Sequence, residues 1–277
     1  MNSVSVLILT FNEEINLAGC IDSSALSDDI VVFDSMSADR TQEIARAKGA
    51  RVVEREFDNY AAQRNAALTT VVFKHPWVLM VDADERVPAD LKAEILAFVA
   101  DPPVDATLCF MRRRDYLYGR WIRRSSGYPT WFGRLVKVGH CWVERVVNEE
   151  YHTSGKSVRL RGHLDHYPFN KGFSEWVAKH NRYSGSEAAL KVSQRRHRFQ
   201  WHKLLTNDPQ QRRTAVKSLI HLFPGRPLLM FALLYIVRGG FLEGRAGLTF
   251  SLLRAWYEFT IDCKVRELRR RERGLPV

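Results

Sequence analysis

The sequence predicts an α/β fold, a mostly parallel sheet sandwiched by helices, followed by a helical, basic C-terminal extension. Three observations predict it. Short runs that are apolar along their whole length alternate with stretches of helical character through the first hundred residues, the pattern of a parallel sheet covered on both faces. Polar and acidic clusters close those apolar runs. Charge is also divided: residues 1–105 hold 9 basic and 18 acidic side chains, whereas residues 106–277 hold 33 and 13. An acidic first third and a basic remainder imply two tasks on one chain, the basic part meeting something anionic.

The elements follow in order. Residues 4–9 are β-branched and aliphatic and end at Thr10-Phe11-Asn12-Glu13; Ile15, Leu17, Ala18, Ile21 and Ala25 then recur at three- and four-residue spacings as a helix face. Residues 30–33 form a second buried strand, and the polar loop from Asp34 to Asp39 feeds a helix over 40–48 that Gly49 stops. Residues 51–54 form a third strand and 59–68 a helix. Residues 77–81 form a fourth strand, closing on Asp82-Ala83-Asp84-Glu85, and Pro88 opens a helix that runs to Ala100.

In parallel sheets the ligand sits beyond the carboxyl ends of the strands. The clusters at Thr10–Glu14, Asp34–Asp39 and Asp82–Glu85 all fall there, so that edge is the expected binding site. No G-x-G-x-x-G follows the first strand and no G-x-x-x-x-G-K-[ST] occurs anywhere, so the usual dinucleotide and phosphate-wrapping loops are missing. The edge offers carboxylate instead. Asp82 and Asp84, two residues apart straight after a wholly apolar strand, suit a hard divalent ion that clamps a diphosphate.

With 45% hydrophobic and 26% charged residues, the composition excludes disordered and collagen-like chains. Four scattered cysteines form no C-x-x-C pair, which speaks against a zinc ribbon or redox dithiol. The N-terminus lacks a basic segment and is not read as a signal peptide. The longest apolar run, residues 228–237, is about half of the ~20 residues a membrane-spanning helix needs.

The segments SVLILTFNEEINLAGCIDS, IVVFDSMSADRT, YAAQRNAAL and WVLMVDADERV, in this order and spacing, resemble the family 2 inverting glycosyltransferases of the GT-A fold. The nearest branch is the bacterial one that builds lipopolysaccharide cores and exopolysaccharides. The resemblance is strong over residues 4–90 and extends to about 185. It implies a catalytic domain over 1–170, with a nucleotide-sugar half to about 105 and an acceptor half beyond, and an extension over 171–277.

The family pattern implies roles residue by residue. Thr10, Asn12 and Glu14 match the loop that holds the nucleotide; Asp34 matches the aspartate that reads the base, usually uracil, with Asp39 supporting that loop. Arg64 and Asn65 match a segment near the diphosphate and donor sugar, and Arg134 matches a further donor-site position. Asp82 and Asp84 match the metal-binding D-x-D, the metal being Mg²⁺ or Mn²⁺. Asp34 and Asp39 have the alternative of capping the following helix, and Arg64 that of pairing with a surface carboxylate.

Inverting transfer needs a base for the acceptor hydroxyl proton and charge compensation on the departing nucleoside diphosphate. The ion supplies the second. For the first, the family branch usually carries a His-Glu pair; here Asn148 replaces the histidine, and the role falls to Glu149, with Glu150 as its neighbour. Asp115, beside Arg112, Arg113 and Arg114, is a weaker candidate. Residues 120–124 and 127–134 mix arginines with aromatics, a composition that suits sugar rings and phosphates, or equally a core aromatic cluster with a basic rim. His163 and His166 with Asp165 lack further metal ligands at a recognisable spacing and read as structural.

Beyond residue 170, Phe173, Trp176, Val177, His180 and Tyr183 mark a helix face; residues 194–203 pack basic and aromatic side chains together; Pro224, the 228–237 run, the 250–259 stretch and a basic tail over 266–273 follow. Short apolar helices flanked by Lys and Arg suit a membrane interface, with a helical appendage or dimer contact as the alternative. The expected enzyme therefore takes a nucleoside-diphosphate sugar, probed first as UDP, to a glycan or lipid-linked saccharide acceptor, at the inner face of the cytoplasmic membrane. Transfer of one sugar to a polyprenyl phosphate is an alternative; nucleotidyl transfer is disfavoured by the missing Gly-rich Lys-containing loop. A basic nucleic-acid-binding protein is a rival from another class, motivated by a pI of 9.7. It gives the acidic strand-end clusters no purpose, so no nucleic acid is expected.

Overall fold

A computed structural model describes residues 4–144, 150–193 and 225–277. Asn148 and Glu149, the basic and aromatic segment 194–203 and Pro224 lie outside the described residues. The chain divides into two compact units, residues 1–123 with 127–172, and residues 124–126 with 173–277.

The first unit runs β1 (Val4–Thr10), α1 (Leu17–Ser23), β2 (Ile30–Asp34), α2 (Thr41–Ala47), β3 (Arg51–Glu54), α3 (Tyr60–Thr70), β4 (Trp77–Asp82), β5 (Glu85–Arg86), α4 (Ala89–Ala100), β6 (Ala106–Leu117), β7 (Arg120–Trp121), β8 (Trp131–Lys137), β9 (Cys141–Glu144), β10 (Glu150–Thr153) and β11 (Lys156–His166). The main sheet has the order β3-β2-β1-β4-β8-β6-β11-β5, with β7 against β6, and β9 and β10 form a separate ribbon. β1 to β4 are parallel to one another, and β8 runs against both β4 and β6. β6 therefore points the same way as β4, and β11, parallel to β6, does too. The carboxyl ends of β1, β2, β4, β6 and β11 share one edge.

The wholly apolar strands are explained by two cores. Side chains alternate across a strand. Val4, Val6 and Ile8 of β1 and Leu79 and Val81 of β4 enter one core with Leu17, Ile21, Leu91 and Ile95. Leu7, Val78 and Met80 enter the other with Ala67 and Leu68 of α3. With helices on both faces a polar strand position needs its own partner, as Ser5 has in Asp29 at 2.6 Å, and each buried Leu, Ile or Met contributes about 1.5–3 kcal/mol. The helix expected at 59–68 begins with Asn59, whose side chain accepts from Ala62 N, and Pro88 sits at the cap of α4 rather than in its first turn.

The second unit runs α5 (Phe173–Ser193), α6 (Arg226–Phe231), a π-helical segment Ala232–Val237, a short 3₁₀ turn Gly240–Glu243 and α7 (Gly244–Glu272). The apolar stretch 250–259 and the basic tail thus belong to one 29-residue helix. Gly239, at φ +74, makes the turn that a side chain would strain. A Cβ at Gly247 would lie 2.0 Å from the Gly240 carbonyl oxygen, so only glycine admits this backbone approach. Tyr257, Ile261 and Val265 of α7 close over Ala188 of α5. A buried Arg226–Glu258 ion pair joins α6 to α7. Glu243, also buried, accepts from Arg124 N (2.6 Å), Ser125 N (3.0 Å) and Ser125 Oγ (2.5 Å), which draws residues 124–126 into this unit.

His180 stacks on Trp176 at 3.6 Å between ring centroids and donates from Nδ1 to the Trp176 carbonyl at 2.8 Å. Burial, with Lys179 and Arg254 nearby, pushes its pKa down to about 4. Below an unfolded-state pKa of about 6.5 the unfolded chain takes up the proton first. Stability is therefore lost as pH falls from about 6.5 to 4, by about 1–2 kcal/mol after allowance for the ring's partial exposure. Thermal melts of wild type and His180→Gln at pH 7.5 and 4.5 check this; the variant's acid-induced drop in Tm should be the smaller, and equal drops would refute it.

Candidate active site

The loops after β1 and β2 are stitched together. Asp34, fully buried, accepts from Thr10 Oγ1 (2.7 Å), Ser37 N (2.7 Å), Ser37 Oγ (2.6 Å) and Gln42 Nε2 (3.0 Å). Asn12 Oδ1 accepts from Ala38 N at 2.8 Å, with Asn12 itself in the left-handed region at φ +52. Asp39 accepts from Glu14 N (3.1 Å) and Thr41 N (3.0 Å), and Glu14 Oε2 from Arg40 N (3.2 Å). The five acidic and polar residues singled out in these loops meet at one strand edge, where the carboxylates organise the backbone. Glu13 lies close enough to Asp84 that the neighbouring charge adds to burial in raising its pKa.

At the end of β4 sits a buried charge network. Asp82 Oδ1 accepts from Arg64 Nη2 at 2.7 Å and Oδ2 from Arg134 Nη2 at 2.6 Å. Arg64 and Arg134 are 4% and 2% exposed. The Arg134 nitrogen also donates to Glu85 Oε1 at 2.7 Å, and Glu85 Oε2 accepts from Asp82 N at 3.0 Å. Arg113 stands 3.8 Å from Glu85 and lies 4.2 Å over the Phe132 ring. Burial alone would raise the Asp82 pKa, but the charges of Arg134 and Arg64 override it and hold the carboxyl well below the usual range. Glu85 goes the other way: full burial, then the Asp82 charge, pushes it up against the pull of Arg134. Arg64 thus meets the D-x-D itself rather than a surface carboxylate.

Asp84 is placed differently. Its Oδ2 lies 3.3 Å from His166 Nε2, and His166 Nδ1 lies 2.6 Å from Asp115 Oδ1, which also accepts from Arg113 Nε at 3.1 Å. Strand register creates this row: His166 pairs with Glu85 across β11–β5 and with Asp115 across β11–β6. Burial and Arg113 both oppose a charged imidazole, yet the two carboxylates raise its pKa to about 9. The sequence reads His166 as structural, places Glu85 in the strand-end cluster without a role and gives Arg113 none; the fold adds all three to the candidate site.

The donor set can supply two of a divalent ion's ligands, Asp84 and a deprotonated His166. A carboxylate and an imidazole nitrogen stand together, so an ion bound there would displace the Nε2 proton that Asp84 now holds, and the other ring nitrogen already faces a carboxylate, the outer support that metal-bound histidines carry. Both oxygens of Asp82, in contrast, are taken by arginines. Among the described residues no three His, Cys, Asp or Glu side chains converge on one point, so a diphosphate would have to complete the coordination.

The remaining candidates sit as follows. Asn65 spends its side-chain amide on β9, donating to Val143 O and accepting from Val143 N, both at 2.8 Å. Glu150 opens β10, opposite Glu144. Arg112 and Arg159 lie over Trp131 at 5.5 and 5.1 Å, and Arg114 and Arg123 over Trp121 at 5.8 and 5.7 Å, so arginine–aromatic stacking accounts for the mixed segments.

An order of parallel strands with carboxylates at their carboxyl edge is the architecture expected of a GT-A enzyme, a class of sugar transferase. The model of glycosyl transferase family 2 matches residues 5–175, more than half of the chain, and the chain belongs to that family of glycosyltransferases. An uncharacterised glycosyltransferase of Rickettsia bellii is 26% identical over 96% of this chain and 86% of its own length. The lipopolysaccharide core biosynthesis glycosyltransferase LpsC of Rhizobium meliloti is 27% identical over 91% of this chain and 90% of its own. Among solved structures, glucosyl-3-phosphoglycerate synthase from Mycobacterium tuberculosis, in complex with Mn²⁺, UDP and its product, is 26% identical with a TM-score of 0.34. That match covers 42% of this chain and 44% of the other, less than half of the solved protein.

Proposed function

We propose that this chain moves a sugar, with inversion, from a nucleoside-diphosphate sugar with a uracil base to a lipopolysaccharide-core, exopolysaccharide or other lipid-linked saccharide acceptor at the inner face of the cytoplasmic membrane. The observation that carries the reading is the pairing of Asp84 with His166 beside a buried arginine–carboxylate network, at the edge where the nucleotide loops converge. Similarity to LpsC supports the acceptor class.

In this reading residues 1–170 carry the catalysis and 171–277 the extension. The loops of Thr10, Asn12, Glu14, Asp34 and Asp39 frame the nucleoside. Asp84 and His166 would hold Mg²⁺ or Mn²⁺, with Asp82 behind them keeping Arg64 and Arg134 in place. The ion supplies Lewis-acid compensation of diphosphate charge. Arg64 and Arg134 add fixed positive charge on the donor side, and Asn65 fixes α3 to β9 so that Arg64 stays aligned. The acceptor oxygen bonds to the anomeric carbon as the bond to the diphosphate breaks, and its proton passes to Glu149, with Glu150 adjacent.

Calorimetric titration with UDP, with and without Mn²⁺, tests the site. Wild type should bind UDP in a metal-dependent manner and Asp84→Ala should not. Glu149→Gln should keep UDP binding while transfer falls by roughly 10²–10⁴-fold. Failure of both UDP and GDP to bind under any condition would remove the reading.

A further inference from the structure

Within the second unit, the segment from Pro227 to Leu253 presents apolar side chains outward. Leu228 is 77% exposed, Val237 75%, Ile236 61% and Phe241 52%, and Leu242, Leu248 and Leu252 are also exposed. A chain folded for water alone rarely leaves so many large apolar side chains uncovered in one short stretch. The charges are as one-sided as the exposure. Arg238 and Arg245 are the exposed ionised side chains of this stretch, and its single acid, Glu243, is turned inward onto Arg124 and Ser125.

Geometry limits what can cover this surface. α6 and its π-helical continuation, Arg226–Val237, would extend roughly 18 Å at helical rise, short of the ~30 Å of a bilayer core. No single helix among the described residues is long and apolar enough to cross a membrane; the pair Arg226–Val237 and Gly240–Glu272 meets that test only together and is bent by 69°. A bent, short apolar element with arginines at the bend suits an interface, where leucines and phenylalanine enter the acyl boundary and cations meet headgroups. A second copy of the same face would bring Arg238 and Arg245 towards their own symmetry mates with no exposed acid in the segment to pair with them.

We infer that the bend between α6 and α7 is a membrane-docking surface: Leu228, Ile236, Val237, Phe241 and Leu242 embed shallowly in a bilayer while Arg238 and Arg245 bind anionic lipid headgroups. This assigns the lipid contact to the 227–253 hairpin rather than to the basic end of α7. It rests on the lipid-linked acceptor reading only for its purpose; its physical basis is independent of catalysis.

Co-sedimentation of the full chain with phosphatidylcholine vesicles, with and without phosphatidylglycerol, tests it, with UDP binding and circular dichroism measured on every variant. The expected result is sedimentation with anionic vesicles. Ile236→Glu/Val237→Glu should lower the bound fraction tenfold or more, and Arg238→Gln/Arg245→Gln should weaken binding about thirtyfold on anionic vesicles with little change on neutral ones. Equal binding of both arginine variant and wild type to anionic vesicles would overturn the headgroup assignment. Absence of vesicle binding, whether the chain is monomeric or forms a dimer that Ile236→Glu/Val237→Glu dissolves, would overturn the membrane surface altogether. UDP binding retained in that case leaves the transferase reading intact, so the two failures are distinguishable.

Discussion

His166→Ala is expected to abolish the metal-dependent part of UDP binding, a loss of 100-fold or more in affinity with Mn²⁺ present. The histidine faces Asp84 from 3.3 Å, and no other imidazole in the described residues does. Asp115→Asn should cost less, roughly 10–100-fold, because Asp115 orients the ring through Nδ1 without facing Asp84 itself. Metal-free UDP binding should change little in either variant, since the loops proposed to frame the nucleoside follow β1 and β2. Removing the imidazole also leaves Asp84 and Asp115 without the cation between them, so Tm must be measured alongside. A variant that folds, and binds UDP with Mn²⁺ as wild type does, would return the metal to Asp82 and Asp84 alone.

The second large effect belongs to Arg134. One guanidinium nitrogen holds both Asp82 Oδ2 and Glu85 Oε1, and Glu85 is fully buried. Arg134→Met would leave the buried Glu85 carboxylate and the half-buried Asp82 each short of a partner, a change that costs about 3–5 kcal/mol. In a chain of this size that lowers Tm by roughly 10 °C. The loss should depend on pH with a defined sign. Burial already raises the Glu85 pKa, and without Arg134 it rises further, so the folded variant binds a proton more readily than its unfolded chain. Arg134→Met should therefore be less destabilised at pH 5 than at pH 8, and Glu85→Gln in the same background should restore part of the stability. Denaturant unfolding of the two single variants and the double variant decides it. Additive effects, or a loss independent of pH, would show that Arg134 is not the partner of this pair.

Much of the sheet was legible because local rules govern it. β1, β2 and β4 are apolar at nearly every interior position, Ser5 being the exception, which requires cover on both faces, and Thr10, Asp34 and Asp82 to Glu85 mark where each strand ends. That the loops after β1, β2 and β4 would meet was legible too, because those ends share an edge whenever the strands are parallel. The C-terminal third was read less well. The 250–259 stretch and the 266–273 tail look different in composition, yet both belong to α7, whose buried side faces α5 at Tyr257, Ile261 and Val265. Nothing local shows that residues 124–126 belong with the second unit, since the carboxylate that holds them, Glu243, lies 118 residues further along the chain than Ser125.

By itself the sequence determined the α/β class, the strand-end loops and the aspartates of the D-x-D, since period-two burial and strand termination are properties of short segments. Only the tertiary structure decided which partners the two aspartates meet. Asp82 turns to Arg64 and Arg134, which come from α3 and β8, while Asp84 faces a histidine more than eighty residues later. His166 stands at the right edge because β8 reverses direction between β4 and β6, which lets β11 run parallel to β4 and end at the same edge of the sheet, where it pairs with β5. Strand direction in a mixed sheet is set by pairing between distant segments, and no spacing along the chain records it.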